Sequence, residues 1–419
     1  MAIEDDVLVV GGGLAGMTAA LAAARDGVRV RVVTHKESTL RHASGLVDVF
    51  GYPPDGTGPV VDPFDAIPAL PDEHPYSRVG VDGVRAGLAL FGDVVGDDYV
   101  GGHTDRNALV PTHGGTVKPT ARYPAASAAG LASDDRPTLL VGFERLTAFD
   151  APLAADHLRA AGVPFDVDGV TVAFPGAFRD DALVTRYAAA LDADEADARA
   201  ALAERVKPHL DGAQRVGFPA ILGQDDPGGV RAALAADLGV DVFEVPTGPP
   251  SLPGMRLAER FHDALADVGV PVEAGNPVVG YEAADGRVES VVVDRTGQRV
   301  PYRADQFVLA SGGLVGKGID SDRSGVREPV FDCHVPHPED RYDWSDADAF
   351  GDHAFARFGV RVDDDLRPLD ADATPTFDNL RAAGAVLGGY DFAAEKSGSG
   401  VSLSTGVRAG ERAREVMDE

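Results

Sequence analysis

Gly11, Gly13 and Gly16 lie in Val7-Leu-Val-Val-Gly-Gly-Gly-Leu-Ala-Gly-Met17 and have the spacing G-x-G-x-x-G. An apolar run precedes them and an Ala-rich stretch follows to Arg25. On that spacing the first glycine permits a tight turn out of a strand. The second lets backbone approach a phosphate with no Cβ in the way, and the third lets a helix lie close on a sheet. Unpaired N–H groups and the positive dipole end at the helix start then face an anion. The glycine spacing alone is a weak signal. With a second apolar strand at Val28–Val33 it completes a βαβ unit, which predicts a nucleotide-type cofactor.

The residues after that unit refine the chemistry. In a Rossmann unit the second strand ends on Asp or Glu, which bonds a ribose hydroxyl. Here the tip is Thr34, and the first acid is Glu37. The Arg41–Gly45 segment follows directly, so Ser44 and Gly45 are expected over the same cofactor, with His42 a substrate candidate. Far along the chain, Phe307-Val-Leu-Ala-Ser-Gly-Gly313 reads as a buried strand opening onto small residues, which makes Ser311 and Gly312 site neighbours. Ala385–Leu387 reads as another buried strand, running into Gly388 and Asp391. The Gly/Ser stretch with Ser399 and Gly400 then opens a helix and offers a second helix N-terminus. A phosphate turn on the first strand and a C-terminal strand with Gly and Asp are the two halves of a flavin site.

Cations are scarce, so Lys118, Arg122 and Arg327 are candidates for an anionic substrate. Cys333-His334 with His337 fits no zinc spacing, and no metal is expected there.

The elements that must position these groups have a clear order. Residues 51–80 read as surface loop, and a helix is expected near 81–92. A polar loop follows at 101–123, with a strand at 138–142, a helix at 151–162, a strand at 170–174 and a solvated helix at 192–205. The proline-rich stretch Pro246–Gly254 leads into a helix over 255–268 and a strand at 270–273. Strands near 277–283 and 287–294 are joined by Asp285-Gly286, a hairpin signal, and a third is expected near 298–302. The fold predicted is α/β: a discontinuous Rossmann-like FAD/NAD(P)-binding flavoprotein domain over 1–50 with 253–419. Residues 51–252 form an inserted α+β region facing substrate or partner.

Composition limits the alternatives. The chain has 419 residues with 67 acidic against 38 basic, a net charge of −29. That surface repels nucleic acid and anionic membrane alike. It suits concentrated salt: at about 1 M the Debye length falls to about 3 Å and carboxylate repulsion is screened. The single cysteine, Cys333, excludes an internal disulfide and an iron–sulfur site built from this chain's thiolates alone. The run Val7–Ala24 is uncharged and about long enough to span a bilayer, but glycines cluster in its middle and Glu4-Asp5-Asp6 precede it. A soluble, cytoplasmic chain without a targeting signal is expected.

Several blocks together resemble the B subunits of the anaerobic glycerol-3-phosphate dehydrogenases, over nearly the whole chain. They are Val10–Gly16, Ser44-Gly45 with Leu46 and Asp48, and Pro246–Leu257 with Pro249-Pro-Ser251. Later blocks are Val308–Gly312, Val326-Arg-Glu-Pro-Val330, Leu366-Arg-Pro368, Asn379-Leu380 and Val386–Asp391. The resemblance implies oxidation of sn-glycerol 3-phosphate to dihydroxyacetone phosphate with electrons passed indirectly to quinone. It implies three kinds of chain: an FAD-containing catalytic one (the A subunit), this flavin chain, and an iron–sulfur one (the C subunit) that supplies the membrane link. For this chain it implies FMN, with FAD as the alternative, and a place peripheral to the membrane through its partners. Two other readings stay open: a free-standing flavin oxidoreductase of fumarate-reductase type, and a scaffold protein that has lost its flavin.

Overall fold

Val7–Val10 are four apolar residues in a row, and all four are buried. A strand covered on both faces reads this way, as parallel sheets require. In the computed structural model, which describes residues 3–176, 178–179 and 182–417, they form the end of strand β1 (Ile3–Val10). The chain turns at Gly11–Gly13 into helix α1 (Leu14–Ala23) and returns as β2 (Val30–Thr34). Both β2 and a later strand, β6 (Gln298–Leu309), pair with β1 in parallel, so the glycine turn sits between two flanking strands.

The chain divides into two units, one of residues 1–39, 52–94 and 260–419 and the other of 40–51 and 95–259. Residues 52–94, expected in the inserted region, therefore belong with the first unit, and 40–51, expected with the cofactor strands, belong with the second. The boundary near 260 falls inside the helix Leu252–Asp267.

The sheet of the first unit is completed by β3 (Val272–Ala274), β4 (Val278–Ala284), β5 (Arg287–Arg295) and β7 (Leu380–Ala382), in the order β3-β2-β1-β6-β5-β4 with β7 beside β6. Asp285 and Gly286 both have positive φ, 50° and 75°, which is the turn that closes a two-residue hairpin between β4 and β5. β6 is one long strand where two were expected. Its start pairs antiparallel with β5, and Phe307–Leu309 pair in parallel with β7. The buried Asn379 amide fixes that fork: Nδ2 donates to Val288 O (2.9 Å) and Asp305 O (3.0 Å), while Oδ1 accepts from Val288 N (2.9 Å). The expected strand at Ala385–Leu387 is instead a 3-10 turn, Gly384–Val386, and the strand lies earlier, at β7.

Helix α2 (Pro75–Val95) is interrupted at Gly80, and helix α3 (Gly398–Glu415) lies against α1. That approach depends on small residues. A Cβ on Gly406 would press on the Ala15 carbonyl oxygen (2.7 Å), and one on Gly410 would overlap that of Ala19.

The main sheet of the second unit has strands 241–245, 215–219, 138–143 and 167–172 in that order, all parallel. Helices Ala151–Ala160, Val184–Asp192, Ala198–Val206 and Pro227–Leu238 accompany them, so this part is α/β where α+β was expected. The region 101–123, expected as a polar loop, contains an antiparallel ladder, Ala108–Pro111 with Val117–Thr120. Arg215 is fully buried and donates to the carbonyls of Ala129 (3.1 Å), Leu131 (3.1 Å), Asp134 (2.9 Å) and Arg136 (3.0 Å), which ties the loop 129–136 to the sheet. Among the described residues no helix is long and apolar enough to cross a membrane.

Candidate cofactor site

The three glycines of the turn have different surroundings. Gly11 has φ +120°, and a Cβ there would overlap the Ala310 carbonyl oxygen of the neighbouring strand end. A Cβ on Gly16 would overlap the Gly11 carbonyl oxygen, so helix and turn touch by backbone. Gly13 is the N-cap of α1 and supplies no side-chain cap; a Cβ there would meet no atom within 4 Å. The first turn of α1 has no acidic residue either. An uncapped helix start facing open space is an anion site in the sense of helix dipoles and orphan N–H groups.

That space is a cleft of about 270 Å³ within the first unit, walled by the Gly11–Gly13 turn, the Thr34–Thr39 segment, Ala310–Gly312 and Pro329-Val330. Thr34 Oγ1 donates to the Lys36 carbonyl (2.9 Å), leaving its lone pairs as acceptors and no acid at the tip of β2. Ser311 Oγ is buried with no hydrogen-bond partner, an unsatisfied hydroxyl on the cleft wall. Gly312, at φ +87°, allows the turn beside it. These features fit a phosphate-bearing flavin: bare backbone at Gly13, a helix start without a cap, and an orphan hydroxyl.

Glu328 shapes the Pro329-Val330 wall. It is wholly buried, and its carboxylate accepts from Val330 N (2.7 Å), Phe331 N (2.8 Å) and Cys333 N (3.4 Å). Burial pushes its carboxyl up in pKa against the pull of those three bonds. Burial likewise pushes up the Cys333 thiol, whose neighbour is Glu328. Nothing local in the chain marks Glu328 as the residue that holds this loop.

The cleft unites Gly11, Gly13, Thr34, Ser311 and Gly312, with Gly16 packed behind the turn. The other expected site residues do not line it. Gly388 backs onto Gly359 and its N–H donates to Val360 O (3.0 Å). Asp391 caps the short helix Phe392–Glu395 by accepting from Ala393 N and Ala394 N (both 3.0 Å). Ser399 and Gly400 lie in the first turn of α3, which begins at Gly398. His42, Ser44 and Gly45 belong to the second unit. His42 is exposed, Ser44 Oγ accepts from Leu46 N (3.4 Å), and Gly45 has Pro253 against it.

The candidate anion-binding cations have partners in their own chain. Lys118 Nζ is 2.8 Å from the buried Asp48 carboxylate. Arg122 donates to Gly101 O (3.1 Å) and Ala121 O (2.8 Å), and Arg327 is 3.2 Å from Asp320. Sequence reasoning missed Lys36 and Lys317, which line the cleft. The available signal was their rarity, since lysine occurs only at positions 36, 118, 207, 317 and 396.

The FAD binding domain family matches residues 6–401. A relative from Halobacterium salinarum, described as the probable B subunit of an anaerobic glycerol-3-phosphate dehydrogenase, is 64% identical, and the match covers 100% of both chains. The anaerobic glycerol-3-phosphate dehydrogenase B subunit of Pectobacterium atrosepticum is 32% identical over 97% of this chain and 98% of its own. Among solved structures, a 3-ketosteroid delta1-dehydrogenase from Sterolibacterium denitrificans aligns over 99% of this chain and 100% of its own, at TM-score 0.46 and 14% identity.

Proposed function

The chain belongs to the family of anaerobic glycerol-3-phosphate dehydrogenase B subunits, flavoproteins with an FAD-binding domain, and from that premise we propose that it is the flavin-carrying component of a quinone-linked glycerol-3-phosphate dehydrogenase. The observation that carries this reading is the uncapped start of α1 at Gly13, open to the cleft, within a family match that runs nearly end to end. A bound flavin supplies the redox group that takes up electrons as sn-glycerol 3-phosphate becomes dihydroxyacetone phosphate. The chain's own residues bind and orient it. The Gly11–Gly13 backbone would receive the phosphate, with Ser311, Gly312 and Pro329-Val330 forming further walls of the cleft around it.

The lone Cys333 supports an iron–sulfur relay carried by a separate chain, alongside an FAD-containing catalytic one. The complex sits at the cytoplasmic face of the membrane, with this chain attached through its partners.

The flavin is FMN. What favours it is the tip of β2: Thr34 offers no charge to a ribose, and its proton is committed to Lys36 O. FAD is the second reading, favoured by the family's description and by Glu37 on the same wall. An absorbance spectrum of the purified chain, followed by heat release and chromatography of the cofactor, decides between them. Stoichiometric FMN is expected. Stoichiometric FAD overturns the mononucleotide assignment, and a colourless chain that still assembles with its partners overturns the flavin assignment.

A further inference from the structure

Lysine is rare in this chain, at positions 36, 118, 207, 317 and 396, and acids outnumber bases 67 to 38. Three of these lysines are held by their own chain: Lys118 by Asp48, Lys207 by Glu204 and Lys396 by the Ala393 carbonyl. Among the described residues, Lys36 and Lys317 have neither an ion pair nor a hydrogen bond through the side chain. Both line the cleft. Glu37 is the one carboxylate among the lining residues, which also include His35, so the wall carries a net positive balance in a chain of −29.

Their placement follows from the sheet. Lys36 follows the end of β2 and Lys317 follows the end of β6, and those two strands flank β1 on opposite sides. The two ammonium groups are therefore carried on loops either side of the glycine turn and the start of α1. Lys317 has φ +62°, between Gly316 and Gly318. A non-glycine residue in that region is uncommon and strained, and such residues cluster where function needs them. The segment could have used a third glycine and instead presents a long cation.

We infer that Lys36 and Lys317 are specificity-determining residues that bracket the flavin's phosphate and make its capture depend on charge. The inference rests on reading the cleft as a flavin site. Orphan N–H groups at the start of α1 bind the phosphate by hydrogen bonds and the helix dipole, and the two lysines add full charges that favour a phosphorylated flavin over riboflavin. Being exposed, each contributes as a partly screened charge.

The test uses the full chain stripped of cofactor, with FMN and riboflavin binding followed by fluorescence quenching. K36M removes one charge. K317G removes the other and also relaxes the backbone, so loss of fold does not mask the result. Measurements are made at the lowest salt that preserves the wild-type circular dichroism. In the double variant FMN binding weakens about tenfold while riboflavin binding is unchanged, and the FMN loss shrinks as salt rises. Unchanged FMN affinity, or equal loss for both ligands, overturns the inference. If the wild-type chain takes up neither of these nor FAD, the cofactor reading itself fails and the inference with it; if it takes up FAD alone, the same comparison is made with FAD in place of FMN.

Discussion

Gly13 and Gly16 belong to the same motif, and the protein around them makes opposite demands. Nothing in the chain lies within 4 Å of a Cβ on Gly13, whereas one on Gly16 would overlap the Gly11 carbonyl oxygen. Replacing Gly13 with Val should therefore leave the thermal midpoint close to that of cofactor-free wild type and abolish flavin retention. Gly16→Val should lower stability by about 2–4 kcal/mol, because backbone has to move. Thermal denaturation and the flavin-to-protein absorbance ratio of both variants report this. A Gly13→Val protein with full flavin occupancy would sink the phosphate assignment. The motif was legible because its spacing is local and each position has one steric reason. Lys317 was not, since its place beside the turn depends on β6 lying next to β1, a pairing of segments far apart in the chain.

At the scale of elements, the loop 129–136 is held to the parallel sheet of the second unit by charged groups. Arg215 donates to four of its carbonyls, and Arg136 bonds Asp134 (2.6 Å) and Asp241 (2.7 Å). The Arg136 guanidinium holds the Asp134 carboxyl down to about 2. A carboxyl depressed in the folded state stabilises the fold fully above its unfolded value, about 3.9, and that contribution fades as pH falls through the folded one. Asp134→Asn should thus cost about 0.5–1 kcal/mol at neutral pH, since the pair is partly solvated. The gap to wild type should close between about pH 4 and pH 2. Urea unfolding of both proteins across that range checks it, and a gap that stays constant with pH would remove the ion pair as its cause. The same loop shows what sequence patterns hide. Strands 138–143, 278–284 and 287–295 were readable from apolar runs and Asp285-Gly286, but Arg215–Pro219 opens on a buried cation and ends on proline. Nothing local marks it as a central strand, so the parallel sheet around it was read as α+β.

For the whole molecule the dominant influence is the excess of acid. A net charge of −29 spread over both units leaves many carboxylates facing solvent without a basic partner, since 67 acids share 38 cations. Repulsion among them is weak when the Debye length is about 3 Å, near 1 M salt, and acts across a unit when it reaches about 30 Å, near 0.01 M. Lowering the salt should therefore reduce the thermal midpoint and release flavin, with the steepest change below about 0.3 M, where screening is being lost. A second explanation predicts the same direction: salts also strengthen apolar burial by exclusion from the surface. Sucrose separates the two, because it is excluded in the same way but screens nothing. Circular dichroism melts down a potassium chloride series, repeated at low salt with sucrose, therefore address charge directly. Recovery by potassium chloride and little recovery by sucrose is expected. Equal recovery by both would assign the salt requirement to burial, and a midpoint indifferent to salt would remove the requirement altogether.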